Sequence, residues 1–531
     1  MNNKLYERFD PEMDFSETDH IIIGSGIGGL TLAIWLAKAG EKVIVLERHY
    51  VPGGFTHSFK RKDGFQWDTG VHYVGNVGKE DSLRPFFNYI TDNDLEWESM
   101  GDIYDVVYIE GDKYEFRAGK ENFKKQILHY FPDEAKAIDD YLLLIDKVNK
   151  RGGAFFFEKT FKPILQHSIG KIIRKRFHHF SNKTTLETLK TLTTNERLIA
   201  VLCGQCGNYG LSPNYSSFAA HALVINHFLE GGYYPVGGTD QISFKAIKKL
   251  RSLGGSVYIK ADVKEILTEN NRVKGIRVKD RFIACKSVIS NAGVNNTFNH
   301  LLKEKDRKRC NFDLQNVEPS SGHLCLYVGL DKSDEELKLP KHNIWYIDDQ
   351  NIDKLMDTVS IEDTASRYNY ISFPSAKDPQ WKIDHPNTST IQALAIGKYD
   401  WFSDYEESNW SKRGDSYLHL KKEFEIGMLD QLYKLFPQIK GHVVKTEVSS
   451  PLSTKHFSNY KHGEIYGLAH TPKRFTLPFL RPETKIKGLK LVGQDVLLVG
   501  LASAMFSGVL CAISILKFRV WKIFKEINSD N

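Results

Sequence analysis

Ile21-Ile22-Ile23-Gly24-Ser25-Gly26-Ile27-Gly28-Gly29, followed at Glu47 by an acidic residue, decides the fold of this chain. Three β-branched residues predict a short buried strand. Gly24-x-Gly26-x-x-Gly29 then turns the chain into an apolar helix over 30–39, which Gly40 ends. A second strand, Val43-Ile44-Val45-Leu46, delivers Glu47 at its C-terminal end. Together these make a βαβ unit with the chemistry a dinucleotide needs. Gly24 permits the turn, Gly26 lets the backbone approach a pyrophosphate, and Gly29 lets helix and strand pack closely. The free N–H groups at the helix start face the phosphates, and the helix dipole adds about 0.3–1 kcal/mol. Glu47 is placed to accept hydrogen bonds from the adenosine ribose. A Gly-rich turn in some other α/β protein would leave Glu47 unexplained.

The 531 residues suffice for a large core and more than one domain. A hydrophobic fraction of 41% and a charged fraction of 26% are ordinary for a globular protein. The net charge of +6 is too small to imply nucleic acid. The first twenty residues are acidic and polar, so no secretory signal or N-terminal anchor is expected. Six scattered cysteines predict a reducing, cytoplasmic compartment. Cys203-Gly-Gln-Cys206 has CxxC spacing, but no second pair or histidine sits at zinc-ligand spacing. Two reduced cysteines beside a packed turn are expected there, and no metal site.

Further along, Tyr234-Pro235-Val236-Gly237-Gly238-Thr239 precedes an amphipathic helix over 242–250. Strands are predicted over 257–259 and 263–267, then a hairpin through Asn270-Asn271, then a strand over 286–290 leading into Asn291-Ala292-Gly293. The run 496–516 carries no charge and is long enough to span a bilayer. Its small residues, and the strand-like Leu489-Lys490-Leu491-Val492-Gly493-Gln494-Asp495 before it, favour a buried cofactor helix instead. The dinucleotide domain is therefore expected in three segments, 1–75, 232–297 and 485–531. Residues 76–231 and 298–484 should form a second domain.

Several stretches carry a family resemblance: Gly53-Gly54, Trp67-Asp68-Thr69-Gly70-Val71-His72-Tyr73-Val74-Gly75, Asn208-Tyr209-Gly210, Glu230-Gly231-Gly232-Tyr233-Tyr234-Pro235-Val236-Gly237-Gly238, Gly463-Glu464-Ile465-Tyr466-Gly467 and Gly493-Gln494-Asp495. In these the chain resembles the flavin-dependent polyene oxidoreductases: phytoene desaturases, carotenoid isomerases and all-trans-retinol 13,14-reductases (retinol saturases). It is most similar to the retinol saturase and carotenoid isomerase branch. The resemblance implies FAD and an α/β fold like that of the amine oxidases: a Rossmann-like FAD domain with an interleaved α+β substrate domain. It implies that Gly24, Gly26, Gly28 and Gly29 hold the pyrophosphate, with Glu47 on the ribose. Gly53 and Gly54 should pass beneath the phosphates and ribityl group, and Val263 should meet adenine through its backbone. Asp495 should bond the ribityl or pyrophosphate region, and Ser503, Ala504, Met505 and Phe506 should approach the flavin pyrimidine ring.

The implied reaction is saturation of a double bond in a lipophilic polyene, a retinoid or carotenoid. Cis-trans isomerisation and desaturation are its alternatives. Such chemistry needs a hydride and a proton but no nucleophile or metal. His72 is the candidate proton donor, since histidine titrates near neutral pH; a purely structural histidine is the competing reading. Tyr73, Tyr209 and Tyr233 are expected as cavity wall. There is no second GxGxxG unit, so NAD(P)H is expected only as an indirect electron donor. A basic amphipathic helix over 161–180, after Phe155-Phe156-Phe157, predicts peripheral contact with an anionic membrane surface. Residues 517–525 have a similar mixture. Outside the enzymes, a carrier resembling the GDP-dissociation inhibitors shares this architecture. No feature of the chain fixes its oligomeric state.

Overall fold

A computed structural model describes residues 5–310, 312–313 and 317–529. Its first body is a six-stranded parallel sheet in the order Glu7–Arg8, Ser256–Ile259, Val43–Leu46, His20–Ile23, Ser287–Ser290, Leu489–Leu491. All four residues of His20–Ile23, Val43–Leu46 and Ser287–Ser290 are buried, as strands covered on both faces must be. The helix Ile27–Lys38 covers the sheet and is itself buried from Ile27 to Ala37. It begins at Ile27, so Gly28 and Gly29 form its first turn rather than preceding it; the sharp turn is made by Gly24 alone, at φ 96°. Leu501–Leu516 packs across it at a glycine contact. A Cβ on Gly508 would lie 2.4 Å from the Gly28 carbonyl oxygen, and one on Gly28 would lie 2.6 Å from that of Ala504.

The second body is a seven-stranded mixed sheet in the order Val443–Ser449, His323–Leu330, Ser389–Ile396, Tyr368–Ser372, Asn343–Ile347, Ile103–Ile109, Asp112–Arg117. Only Asn343–Ile347 and Ile103–Ile109 run parallel. Helices Ala135–Glu158 and Phe218–Phe228 pack together over this half of the core. The hairpin of Ser58–Lys60 and Gln66–Asp68 belongs by packing to the second body, where Phe65 and Trp67 cluster with Tyr327 and Trp381.

Two helices depart from expectation. The stretch 161–180 is not one helix but Pro163–His167 and Ile169–Ser181. Ser168 breaks it: its hydroxyl donates to the Ile164 carbonyl at 3.0 Å, competing with the helical ladder. Of the apolar run 496–516, only Leu501–Leu516 is helical, because Gly500 at φ 95° turns the chain just before it. With Val520–Ser529 this region is long and apolar enough to cross a bilayer by length and composition alone. Its seat against Ile27–Lys38 makes Leu501–Leu516 a core helix.

Candidate active site

The C-terminal ends of four adjacent parallel strands converge on one edge, where open α/β sheets bind their ligands. Gly24 follows the first, Glu47 the second, Asn291 the third and Gly493 the fourth, and all four line a single cavity of about 2370 Å³. Pockets for one small molecule run to roughly 300–1,000 Å³, so this space has room for a dinucleotide and a long substrate together.

At the glycine edge, Glu47 ties two loops. Its Oε2 accepts from the Ser25 N–H at 3.0 Å and the Ser25 hydroxyl at 2.7 Å, and its Oε1 accepts from the His49 N–H at 2.8 Å. The Ser25 hydroxyl in turn accepts from the Gly53 N–H at 2.9 Å. Gly53 and Gly54 both adopt left-handed backbone, at φ 117° and 57°. A Cβ on Gly54 would lie 3.1 Å from the Gly26 Cα, and one on Gly53 would lie 2.6 Å from the Ser243 hydroxyl. The result is a cradle of bare backbone beside a carboxylate. Val263 lines the same end, next to Lys260 and Ala261.

The other expected positions divide. Gly26, Gly28, Ser503, Ala504 and Phe506 line the cavity, with Phe506 also packing on Phe86 at 4.8 Å between ring centroids. Gly29 does not; a Cβ there would lie 2.5 Å from the Gly24 oxygen, so it serves the helix–strand contact. Met505 does not line the cavity; it is fully buried in the core with Cys511 and Ala512, and is corrected from a wall residue to a packing one. Asp495 reaches the cavity, yet its two oxygens take the Val294 and Leu468 amides, each at 2.9 Å. Arg474, fully buried, lies 4.0 Å away and donates to the Leu468, Gln494 and Asp495 carbonyls. Asp495 therefore clamps three loops together rather than presenting a free carboxylate.

His72 lines the cavity, but burial and the nearby Lys377 ammonium hold its imidazole down to about 3. It is neutral at pH 7, so the cationic acid expected from the sequence is not formed there. Its neighbour Tyr73 has richer surroundings. The Tyr73 hydroxyl donates to Asp105 Oδ2 at 2.9 Å and accepts from Asn208 Nδ2 at 3.0 Å. Tyr209 and Tyr233 lie off the cavity wall, Tyr209 bonding the buried His221 at 3.1 Å.

Sequence reasoning passed over Asn291 as a site residue. Its amide reaches the Gly24 and Gly26 carbonyls at 3.4 and 3.3 Å, fixing the glycine turn from the next strand. A polar residue ending an apolar parallel strand was the available signal. Asp68 joins two of the resemblance motifs: its carboxylate accepts from Ser58, Thr239 and Tyr234. Cys203 and Cys206 are free and buried, and burial pushes the Cys206 thiol up to about 12, so neither is a thiolate. Among the described residues no group of three or more His, Cys, Asp or Glu is placed to hold a metal.

The remaining wall is apolar, formed by Phe156, Leu223, Val224, Phe228, Leu498 and Val499. A model of the flavin containing amine oxidoreductases matches residues 27–512. The chain belongs to that family. It is 33% identical over 551 residues to the all-trans-retinol 13,14-reductase of Homo sapiens, covering 99% of this chain and 90% of that one. Prolycopene isomerase 1 of an Oncidium hybrid cultivar is 26% identical over 525 residues, with 93% and 83% covered. Among solved structures, cyclohexylamine oxidase from Brevibacterium oxydans IH-35A superposes with a TM-score of 0.61 at 15% identity, covering 96% and 100%. Membership makes the chain a flavin-dependent oxidoreductase, and the amine-oxidase fold expected from the sequence is the fold observed.

Proposed function

We propose that this enzyme uses FAD to saturate a double bond of a lipophilic polyene, a retinoid in the first instance. One observation carries the reading: a continuous cavity joins the glycine cradle and Glu47 to a wall of aliphatic and aromatic side chains. The cradle fits a dinucleotide, because Gly26, Gly53 and Gly54 leave bare backbone where phosphates would approach and Glu47 stands at the ribose position. Bound FAD would supply hydride transfer. The chain's own part is to hold the polyene along the apolar wall, keep bulk water out, and deliver a proton. The similarity to all-trans-retinol 13,14-reductases supports saturation, and that to the prolycopene isomerases supports isomerisation as the second reading.

Access from a membrane belongs to the same proposal. Ile164, Ile169 and Ile172 are 83%, 55% and 55% exposed, beside exposed Lys171, Lys175 and Arg176. Phe518 and Trp521 are 79% and 67% exposed, and both line the cavity, as does the half-exposed Phe157. Apolar tips flanked by lysine and arginine suit an anionic bilayer surface, each cation contributing about 1 kcal/mol. NAD(P)H acts in this reading as an indirect electron source, through a separate reductant.

The test is anaerobic single turnover of the photoreduced flavoprotein with all-trans-retinol and, separately, with a cis-carotenoid. Flavin reoxidation with a product heavier by two hydrogens establishes saturation. Isomerised product of unchanged mass, with the flavin still reduced, establishes isomerisation. A purified protein that takes up no flavin sinks both and favours a carrier.

A further inference from the structure

Behind the cavity wall lies a buried polar chain that the cofactor cradle does not use. Asp105 stands on the strand Ile103–Ile109 among apolar neighbours and is fully buried. Its Oδ2 accepts from the Tyr73 hydroxyl at 2.9 Å and from the Gln205 amide, and its Oδ1 accepts from Asn343 Nδ2 at 3.0 Å. The Asn343 carbonyl takes the ammonium of Lys377, which also donates to the Ser372 hydroxyl at 2.7 Å and the His72 carbonyl at 3.1 Å. Lys377 is 1% exposed, and among the described residues no carboxylate forms an ion pair with it. At the other end, Tyr73 and Asn208 both line the cavity, and the Tyr73 ring stacks on Phe228 with centroids 4.1 Å apart. Of the groups hydrogen-bonded directly to Asp105 among the described residues, the Tyr73 phenol is the one acidic group that reaches the substrate space.

We propose that Tyr73 is the proton donor of the saturation step and that Asp105 is the positioning residue behind it, storing the proton that restores the phenol. This rests on the reductase reading above. Bound reduced flavin would supply a hydride, and with it the two electrons of the reduction, to one alkene carbon. The other carbon forms its new C–H bond with the Tyr73 phenolic proton as that O–H bond breaks. Asp105 gives its carboxyl proton to the phenolate oxygen in the same passage, so no charge is left on the phenol. Between turnovers, water entering the open cavity returns a proton to Asp105 through Tyr73.

Three features fit. The 2.9 Å contact joins the phenol oxygen to Asp105 Oδ2, so when the phenol turns its proton toward the substrate, a carboxyl proton on Oδ2 takes its place in that contact. Burial pushes the Asp105 carboxyl up to about 6 despite the Gln205, Asn343 and Tyr73 bonds, so it holds its proton in mildly acid solution. Burial raises the Tyr73 phenol well above its ordinary value, so a tyrosinate would not persist and would recapture a proton at once. The groups facing Asp105 are Tyr73, Tyr104, Tyr370 and Lys377, and the phenols stay neutral. Lys377 is held down to about 7 by burial, so its charge fades over the same range as the proton on Asp105.

The experiment uses the photoreduced holoenzyme, with all-trans-retinol as the probe, in H₂O and D₂O from pH 5 to 8. Tyr73→Phe keeps the ring stacked on Phe228 and removes only the acidic proton. Saturation is expected to slow by 100-fold or more in Tyr73→Phe, with flavin content and retinol-binding fluorescence retained. The wild-type rate should fall about tenfold per pH unit above pH 6 and carry a solvent isotope effect. Asp105→Asn should flatten that limb and Asp105→Glu should restore it. Infrared difference spectra should show a protonated-carboxyl band that titrates in the wild type and vanishes in Asp105→Asn. Saturated product from Tyr73→Phe within threefold of wild type would overturn the relay and leave the reductase reading standing. No saturated product from the flavin-loaded wild type would overturn both.

Discussion

Glu47 spends all its hydrogen bonds on its own neighbourhood, joining the Ser25 turn to the strand end at His49. Replacing it with alanine strands the buried Ser25 N–H, at a cost of about 1–3 kcal/mol, and removes the carboxylate proposed to meet the ribose. Glu47→Ala should therefore lower both the melting temperature and the flavin-to-protein absorbance ratio of the purified enzyme. At the next motif, His72→Gln should slow saturation by less than about tenfold, against the far larger loss in Tyr73→Phe, because a neutral imidazole is a weak acid. Single-turnover rates of the two variants, measured side by side, decide which residue donates. The glycines and Glu47 were legible because fixed spacing along one βαβ unit dictates where they meet. Asp105 and Lys377 were not, since they lie far apart in the chain and become partners only when the strand Asn343–Ile347 sets Asn343 between them. A lone aspartate within Ile-Tyr-Asp-Val-Val-Tyr-Ile was the one hint, because an acid in an apolar strand is rarely buried without purpose.

Strands made of short apolar runs announced themselves; those of the second sheet did not, although His323–Leu330 and Tyr368–Ser372 are buried along their whole length. The parallel strands read directly from uninterrupted β-branched runs, and the hairpin from Asn270-Asn271, both at positive φ. The strands of the second sheet mix polar residues with apolar ones, and their order depends on partners hundreds of residues away. The glycine crossing of Ile27–Lys38 and Leu501–Leu516 offers a direct check on packing. Gly508→Val places carbon 2.4 Å from the Gly28 oxygen, so the helices must part, at a cost of about 1–3 kcal/mol or more. A calorimetric melting temperature equal to wild type would contradict that contact. On the outer surface, Ile164, Ile169 and Ile172 are exposed and contribute little to the core. Changing Ile164, Ile169 and Ile172 together to serine should leave melting within a degree or two. The same change should sharply reduce sedimentation with phosphatidylserine vesicles at low salt. Unchanged vesicle binding would remove this face from the membrane proposal.

Across the whole molecule, enclosed titratable groups set the response to acid. His49, His72 and His221 are held down to about 3 by burial, and His227 and His323 to about 4. Their folded values lie below the unfolded one, so the stability they support is present above pH 6.5 and is lost as pH falls toward 4. Each contributes up to about 1.4 kcal/mol per pH unit within that window. Asp105, Asp240 and Asp378, pushed up to about 6 by burial, act in the opposite sense, binding protons in the folded state first. His342, held down to about 4 by burial, makes six such histidines against the three aspartates, so the urea midpoint should drop steeply between pH 6.5 and 4; a flat profile there would refute the balance. The strand order carries a different consequence, one of timing. Leu489–Leu491 pairs with Ser287–Ser290, and Leu501–Leu516 closes over Ile27–Lys38, so the first βαβ unit leaves the ribosome long before its lasting neighbours exist. Until those late segments arrive, the nascent chain shows an apolar helix and an unpaired sheet edge to solvent. Charging with cofactor is thus an event that follows translation, and a chain that stalls late is a substrate for chaperones and proteases rather than a slower enzyme.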